Sequence, residues 1–382
     1  MNDSHTQNTD PTPEGVADPS RRQALRLAAV GGTALVAGAS LSGCYLPEFE
    51  FAHGVASGDP LADRVILWTR VTPSPEAMAA WAQVQAEVAK NPALADRLET
   101  LKKIAVRWEV ALDPEFRRRV RGGVLFAVED GDYTVKVDAD GLRAATTYYF
   151  RFHTRGATSA TGRTRTLPSM AAGAAAQVKL AVFSCSNYPA GFFNAYAEAA
   201  KIDDLDAAVH LGDYIYEYDR AGYASSQAGA LGRLSEPDAE LVTLAQYRTR
   251  HAQYRSDPDL QTLTARVPLI AVWDDHEITN NAWRNGAENH QPDEGDYGLR
   301  KAAAIRAYYE WMPIREVQPG RRERTFRSFD WSNLLSLHML DTRIIGRDEQ
   351  LSYASFTGAA GFNAPAFAAA LADPARQLLG TE

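Results

Sequence analysis

A short apolar run, Ala207 to Leu211, stops at Gly212 and delivers Asp213, Tyr214, Ile215, Tyr216 and Glu217. No other feature constrains the fold as much. An apolar run bounded by glycine reads as a strand buried on both faces, and such strands belong to parallel sheets flanked by helices. In open α/β sheets, ligands bind just outside the carboxyl ends of the strands. Two further runs end in the same way. Val178 to Ser184 delivers Cys185, Ser186 and Asn187, and Pro268 to Trp273 delivers Asp274, Asp275, His276 and Glu277. Strand ends carrying C-x-N, G-D-x-x-Y and D-D-H-E predict a metal site.

The rest of the chain delivers or supports that sheet. Residues 1–44 have the layout of an export signal. Arg21 and Arg22 precede an apolar run from Leu27 to Leu41, which at about 15 residues is too short for a membrane span. The arginine pair resembles a twin-arginine signal. Leu41-Ser42-Gly43-Cys44 resembles a lipobox, which predicts cleavage before Cys44 and a lipid anchor on it. An exported protein, in the periplasm or on the cell surface and served by the twin-arginine machinery, is expected. Residues 49–167 hold short alternating segments between turns, such as Thr147–Thr154, and predict an immunoglobulin-like β-sandwich. Within it Pro75 to Leu101 reads as a helical insertion, and His53 and His153 read as structural. A linker leads to an α/β domain over residues 177–382, with helices over 239–257 and 298–311 and a strand pair over 324–340. His251 falls on the apolar stripe of the first of these helices and reads as packed. The formal charge of −8 argues against a nucleic-acid-binding role. Two cysteines, Cys44 and Cys185, are too few for a disulfide framework.

The candidate ligands have distinct chemistries. Asp213, ionised at the end of a buried strand, needs compensation, because desolvating a carboxylate costs several kcal/mol. A cation supplies it, and one carboxylate can bridge two metals. Cys185 as a thiolate favours a soft or strongly Lewis-acidic metal, iron included. Tyr216 offers a phenolate, a ligand for ferric iron, or else packs as an ordinary tyrosine. In the Asp274–Glu277 run one carboxylate can bind metal while His276 protonates a leaving group or steadies an oxyanion. Asn280 and Asn281 offer neutral oxygens suited to Ca²⁺.

Four blocks together resemble the signatures of the PhoD-like alkaline phosphatases, which have the calcineurin-like metallophosphoesterase fold. They are Phe183-Ser184-Cys185-Ser186-Asn187, Leu211-Gly212-Asp213-Tyr214-Ile215-Tyr216-Glu217, Trp273-Asp274-Asp275-His276-Glu277 and Asp341-Thr342-Arg343. Phe51 to Pro60 and Val65 to Arg70 resemble that family's N-terminal sandwich. The resemblance implies hydrolysis of phosphomonoesters and phosphodiesters, by in-line attack of a metal-bound hydroxide. It implies Fe³⁺ on Cys185, Asp213 and Tyr216, and Ca²⁺ sharing Asp213 and taking Asn281 with Asp275. Asn187 is implied to lie close to the bound phosphate and His276 to act as acid or phosphate stabiliser, while Arg343 serves either the site or an ion pair. Family members continue to a later block containing Asp and His. The resemblance therefore implies a metallophosphoesterase-type domain that is incomplete at its C-terminus, with an exposed apolar sheet edge. On that ground an impaired or non-catalytic surface lipoprotein binding metal or phosphate is the alternative expectation.

Overall fold

The computed structural model describes residues 49–170 and 177–381. The expected signal, Cys44 and the middle of the linker lie outside the described residues. Among these, no helix is long and apolar enough to cross a membrane.

Apart from two-residue strands, the first part holds β1 (Val55–Gly58), β2 (Val65–Arg70), β3 (Ile104–Ala111), β4 (Arg119–Ala127) and β5 (Thr134–Ala139). They are followed by β6 (Thr147–Thr154) and β7 (Gly162–Arg165). One sheet has the order β7-β6-β3-β4 and is antiparallel throughout. Its inner face follows the strand period of two. Tyr148, Phe150 and Phe152 of β6 and Val106 and Val110 of β3 are buried against Val65 and Leu67 of β2. The helical insertion is broken in two, α1 (Pro75–Lys90) and α2 (Ala95–Lys102). The break falls where Asn91, at φ −139°, precedes Pro92, because a proline disfavours helical backbone in the residue before it. Strand β4 begins four residues before Gly123-Val124-Leu125-Phe126-Ala127, the apolar stretch that reads as a strand in the sequence. Its extra residues, Arg119, Val120, Arg121 and Gly122, are all exposed, and the two arginines put charge on an edge strand, which guards against edge-to-edge pairing.

The second part supplies β8 (Leu180–Phe183), β9 (Ala207–His210), β10 (Leu269–Ala271) and a hairpin of β11 (Arg327–Trp331) and β12 (Leu335–Met339). The expected parallel strands are all present, each shorter than its apolar run. Their sheet has the order β8-β9-β10-β1-β2-β5. Pairing is parallel from β8 to β1 and antiparallel beyond it. A single residue pair, Leu269 with Gly58, joins β10 to β1, so one sheet runs through both segments. Its two faces are covered differently. Ala208, Leu269 and Ala271 pack against α3 (Asn194–Ala199), α4 (Leu244–Arg255), α5 (Pro258–Arg266) and α6 (Tyr297–Trp311). Ala207, Val209, Ile270 and Val272 pack under Phe329, Trp331 and Met339 of the hairpin. The starts of the three longer helices are capped by their own sequence: Thr243 with Gln246 for α4, Asp257 before Pro258 for α5, Asp296 for α6. His251 is buried among Tyr214, Tyr308 and Trp311. Edge strand β8 leaves Val182 58% exposed.

Candidate metal centre

The ends of β8 and β9 stay zipped past the last ladder residue. Leu211 donates its N–H to the carbonyl of Phe183 (2.9 Å), Cys185 to Gly212 (3.1 Å) and Ser186 to Asp213 (2.8 Å). Cys185 (φ 61°) and Asp213 (φ 53°) both adopt left-handed backbone. For residues other than glycine this costs about 1–3 kcal/mol each, and such strain gathers at functional sites. The conformation brings two side chains onto one carboxylate oxygen. Cys185 Sγ lies 3.4 Å and Tyr216 Oη 3.2 Å from Asp213 Oδ2. Asp213 Oδ1 is buried and has no hydrogen-bond partner.

The loop after β10 completes the cluster. Ligand atoms of Asp213, Asp275 and His276 lie within 4.8 Å of one another. Two buried glutamates hold this arrangement. Glu277 accepts from the backbone N–H groups of Asp213 (3.2 Å), Tyr214 (2.5 Å) and Asp274 (2.8 Å), tying one strand end to the other. Glu217 accepts from His276 Nδ1 (2.7 Å), the Asn280 N–H (2.7 Å), Thr279 Oγ1 (3.2 Å) and Asn289 Nδ2 (3.0 Å). With Nδ1 committed to Glu217, His276 keeps Nε2 for the site. Its ring stacks on Tyr216 at 4.3 Å.

The remaining candidates are placed less directly. Arg343 pairs through Nε with Asp274 Oδ1 (2.5 Å) and through Nη2 with Asp275 Oδ1 (3.4 Å). Asn281 donates its backbone N–H to Asp275 Oδ2 (2.5 Å), while its side-chain amide turns to Glu288. Asn187 donates Nδ2 to the carbonyl of Tyr223 (3.0 Å) and keeps a buried Oδ1 without a partner. The structure therefore brings Cys185, Asp213, Tyr216, Asp275 and His276 together, and sets Asn281, Asn187 and Arg343 around them. Nothing in the sequence marks Glu217 or Glu277 as clamps of the strand ends. The available signal was an acidic residue inside an otherwise apolar or aromatic block.

The electrostatics of the cluster call for positive charge. Burial, helped by Asp275 and Asp274 and opposed by His276, pushes the Asp213 carboxyl above the usual carboxylate range. Burial also pushes Asp275 up, against His276 and Arg343. Burial and the charge of Asp213 raise Glu277 to about 8. Burial and Asp213 raise the Cys185 thiol and the Tyr216 phenol as well. For His276 burial acts downward, but the hydrogen bond and charge of Glu217, with Asp275 and Asp213, outweigh it and raise the ring to about 9. Three carboxyls, Asp213, Asp275 and Glu277, are thus crowded where none ionises easily alone. Asp213 keeps one orphaned oxygen, while a thiol and a phenol meet its other oxygen. Those residues fit a cation, which would satisfy Asp213 Oδ1 and favour the ionised forms of its neighbours.

Residues 180–382 match the family model described as PhoD-like phosphatase, and residues 39–168 match that of the PhoD-like phosphatase N-terminal domain. Alkaline phosphatase D of Bacillus subtilis (strain 168) is 41% identical over 305 residues, which is 79% of this chain and 48% of that protein. The solved structure of PhoD is similar with a TM-score of 0.66 at 35% identity, over 90% of this chain and 59% of that one. The chain spans about half the length of the curated relative it matches.

Proposed function

The chain belongs to the PhoD-like phosphatase family, and from that premise we propose that it is a secreted metal-dependent phosphoesterase acting on phosphomonoesters and phosphodiesters. One observation carries the reading: a thiol and a phenol converge on one oxygen of Asp213, with Asp275 and His276 beside it. Cys185, Asp213 and Tyr216 would hold Fe³⁺, and Asp213, Asp275 and Asn281 would hold Ca²⁺. Such ions supply positive charge against the phosphoryl oxygens and lower the pKa of water.

The chain's own residues do the rest. His276, oriented through Nδ1 by Glu217, presents Nε2 as the proton donor to the leaving oxygen or as a cationic partner for its developing charge. Asn187 binds the phosphate edge from the Cys185 loop. Arg343 braces Asp274 and Asp275, fixing the direction in which the second carboxylate points. The order β1-β2-β5 facing β7-β6-β3-β4 supports an immunoglobulin-like sandwich over 49–167, ahead of a metallophosphoesterase-type domain over 177–382. The arginine pair and the lipobox-like Cys44 support twin-arginine export and a lipid anchor, with the protein in the periplasm or at the cell surface.

The test is phosphate release from p-nitrophenyl phosphate and its bis-ester, with iron and Ca²⁺ added or chelated. Metal-dependent release is expected, falling by about a hundredfold or more in His276→Ala. Release that ignores both the metals and the His276 substitution contradicts the proposal.

A further inference from the structure

Behind Cys185 and Asp213, on the inner side of the sheet end, three polar side chains meet in the core. Ser186 directly follows Cys185, His210 closes β9 three residues before Asp213, and Tyr196 comes from α3. They are 9%, 1% and 4% exposed, respectively. His210 Nε2 lies 2.9 Å from Ser186 Oγ and 3.0 Å from Tyr196 Oη, and the two hydroxyls are hydrogen-bonded to each other. The other ring nitrogen, Nδ1, accepts the N–H of Gly212 at 3.3 Å. That bond sets the tautomer: the proton sits on Nε2 and faces the two hydroxyl oxygens. One imidazole thus grips the residue after Cys185 on one side and the residue before Asp213 on the other. Phe183 and Tyr214 pack edge-on against Tyr196 (4.8 Å) and His210 (5.3 Å), closing the space around the cluster.

We propose that Ser186, Tyr196 and His210 form a buried pin that sets the separation and orientation of Cys185 and Asp213. They are positioning residues for the cation those two side chains hold, an inference that rests on the metal reading above. Two features of the geometry call for such a device. Both Cys185 and Asp213 are held in left-handed backbone, a conformation that persists only where its surroundings over-determine it. The strand ladder itself stops at Phe183 and His210, so the liganding residues lie beyond regular pairing. The three backbone bonds across the loops fix their distance, and the side-chain pin fixes their roll. Groups that orient ligands from behind in this way commonly change metal affinity by about 10–100-fold when removed.

The experiment titrates iron into the full chain against a competing chelator, following the absorption band that thiolate and phenolate ligands give to ferric iron. Ser186→Ala and His210→Leu are expected to weaken iron binding by about tenfold or more and to move the band. His210→Gln keeps an N–H near the position of Nε2, and is expected to return affinity to within about threefold of wild type. Leu263→Ala, a core change on α5, controls for destabilisation: it lowers the melting temperature and leaves iron affinity and band unmoved. If the first two variants do not fold, Tyr196→Phe removes only a hydroxyl and must itself weaken binding and move the band. A wild-type chain that takes up no iron overturns the metal reading and this inference with it. A wild type that binds iron, beside folded pin variants with the same affinity and band, overturns the pin alone.

Discussion

Glu217 is fully buried and accepts four hydrogen bonds, yet the charge it carries matters most to one partner, His276. Burial pushes Glu217 up, while the hydrogen bond and charge of His276, with the donors from Asn280 and Asn289, bring it below its ordinary range. His276 is raised to about 9 in return. A group whose folded pKa is raised gives stability that is fully present below its unfolded pKa and lost as pH rises through the folded one. For His276 that window runs from about 6.5 to about 9. The metal-stripped chain should therefore lose melting temperature as pH rises across this window. Glu277, raised to about 8, acts in the same direction. Glu217→Gln removes the charge that sustains His276 and should make the fall clearly shallower while leaving the Glu277 part. Thermal melts in chelator from pH 6 to 9.5 read this, and an unchanged slope in the variant contradicts the pairing.

At the level of elements, the site depends on how abruptly β9 stops. Gly212 has φ +112°, and a Cβ built there would meet the backbone N of Asp274 at 2.2 Å. Only glycine lets the Asp213 turn and the Asp274 loop touch backbone to backbone. Gly212→Ala should cost about 2–4 kcal/mol in urea unfolding, since it combines backbone strain with a clash that no side-chain rotation relieves. A loss below about 0.5 kcal/mol, the level of an ordinary surface change, contradicts the close approach. The strand ends themselves were legible in the sequence because buried parallel strands are short apolar runs, and the residues that follow break that pattern sharply. The clamps were not. Glu277 reaches Asp213 and Tyr214 across more than sixty residues, and Glu217 reaches His276 across 59. No local periodicity carries such pairings, and a glutamate in a strand-end block looks the same whether it binds metal, caps a helix or holds a neighbour. Asn281 is a further case: its residue type suits a hard cation, but that its amide nitrogen is taken by Glu288, leaving the oxygen for a cation, is a pairing no sequence pattern shows.

Across the whole molecule, the two halves recognised by separate family models share one sheet. Sequence patterns located the strands of each half but not the joint, because that joint is the single pair Leu269–Gly58. A buried ion pair reinforces it. Arg327 of the hairpin meets Asp59, just after β1, at 2.9 and 2.7 Å, and Arg315 donates its backbone N–H to the same carboxylate at 2.7 Å. The parallel strands are thus wedged between the N-terminal strands, the helices and the hairpin, and their ends are tied to one another by hydrogen bonds while carrying acidic groups that oppose one another. That arrangement makes chemical sense around a cation. The most direct measurement is the iron retained per chain after desalting, read by elemental mass spectrometry for wild type and for Asp213→Asn. About one iron per wild-type chain is expected and close to none in the variant, which keeps the shape of Asp213 but loses its charge. Equal iron in both, or none in either, would contradict the metal reading.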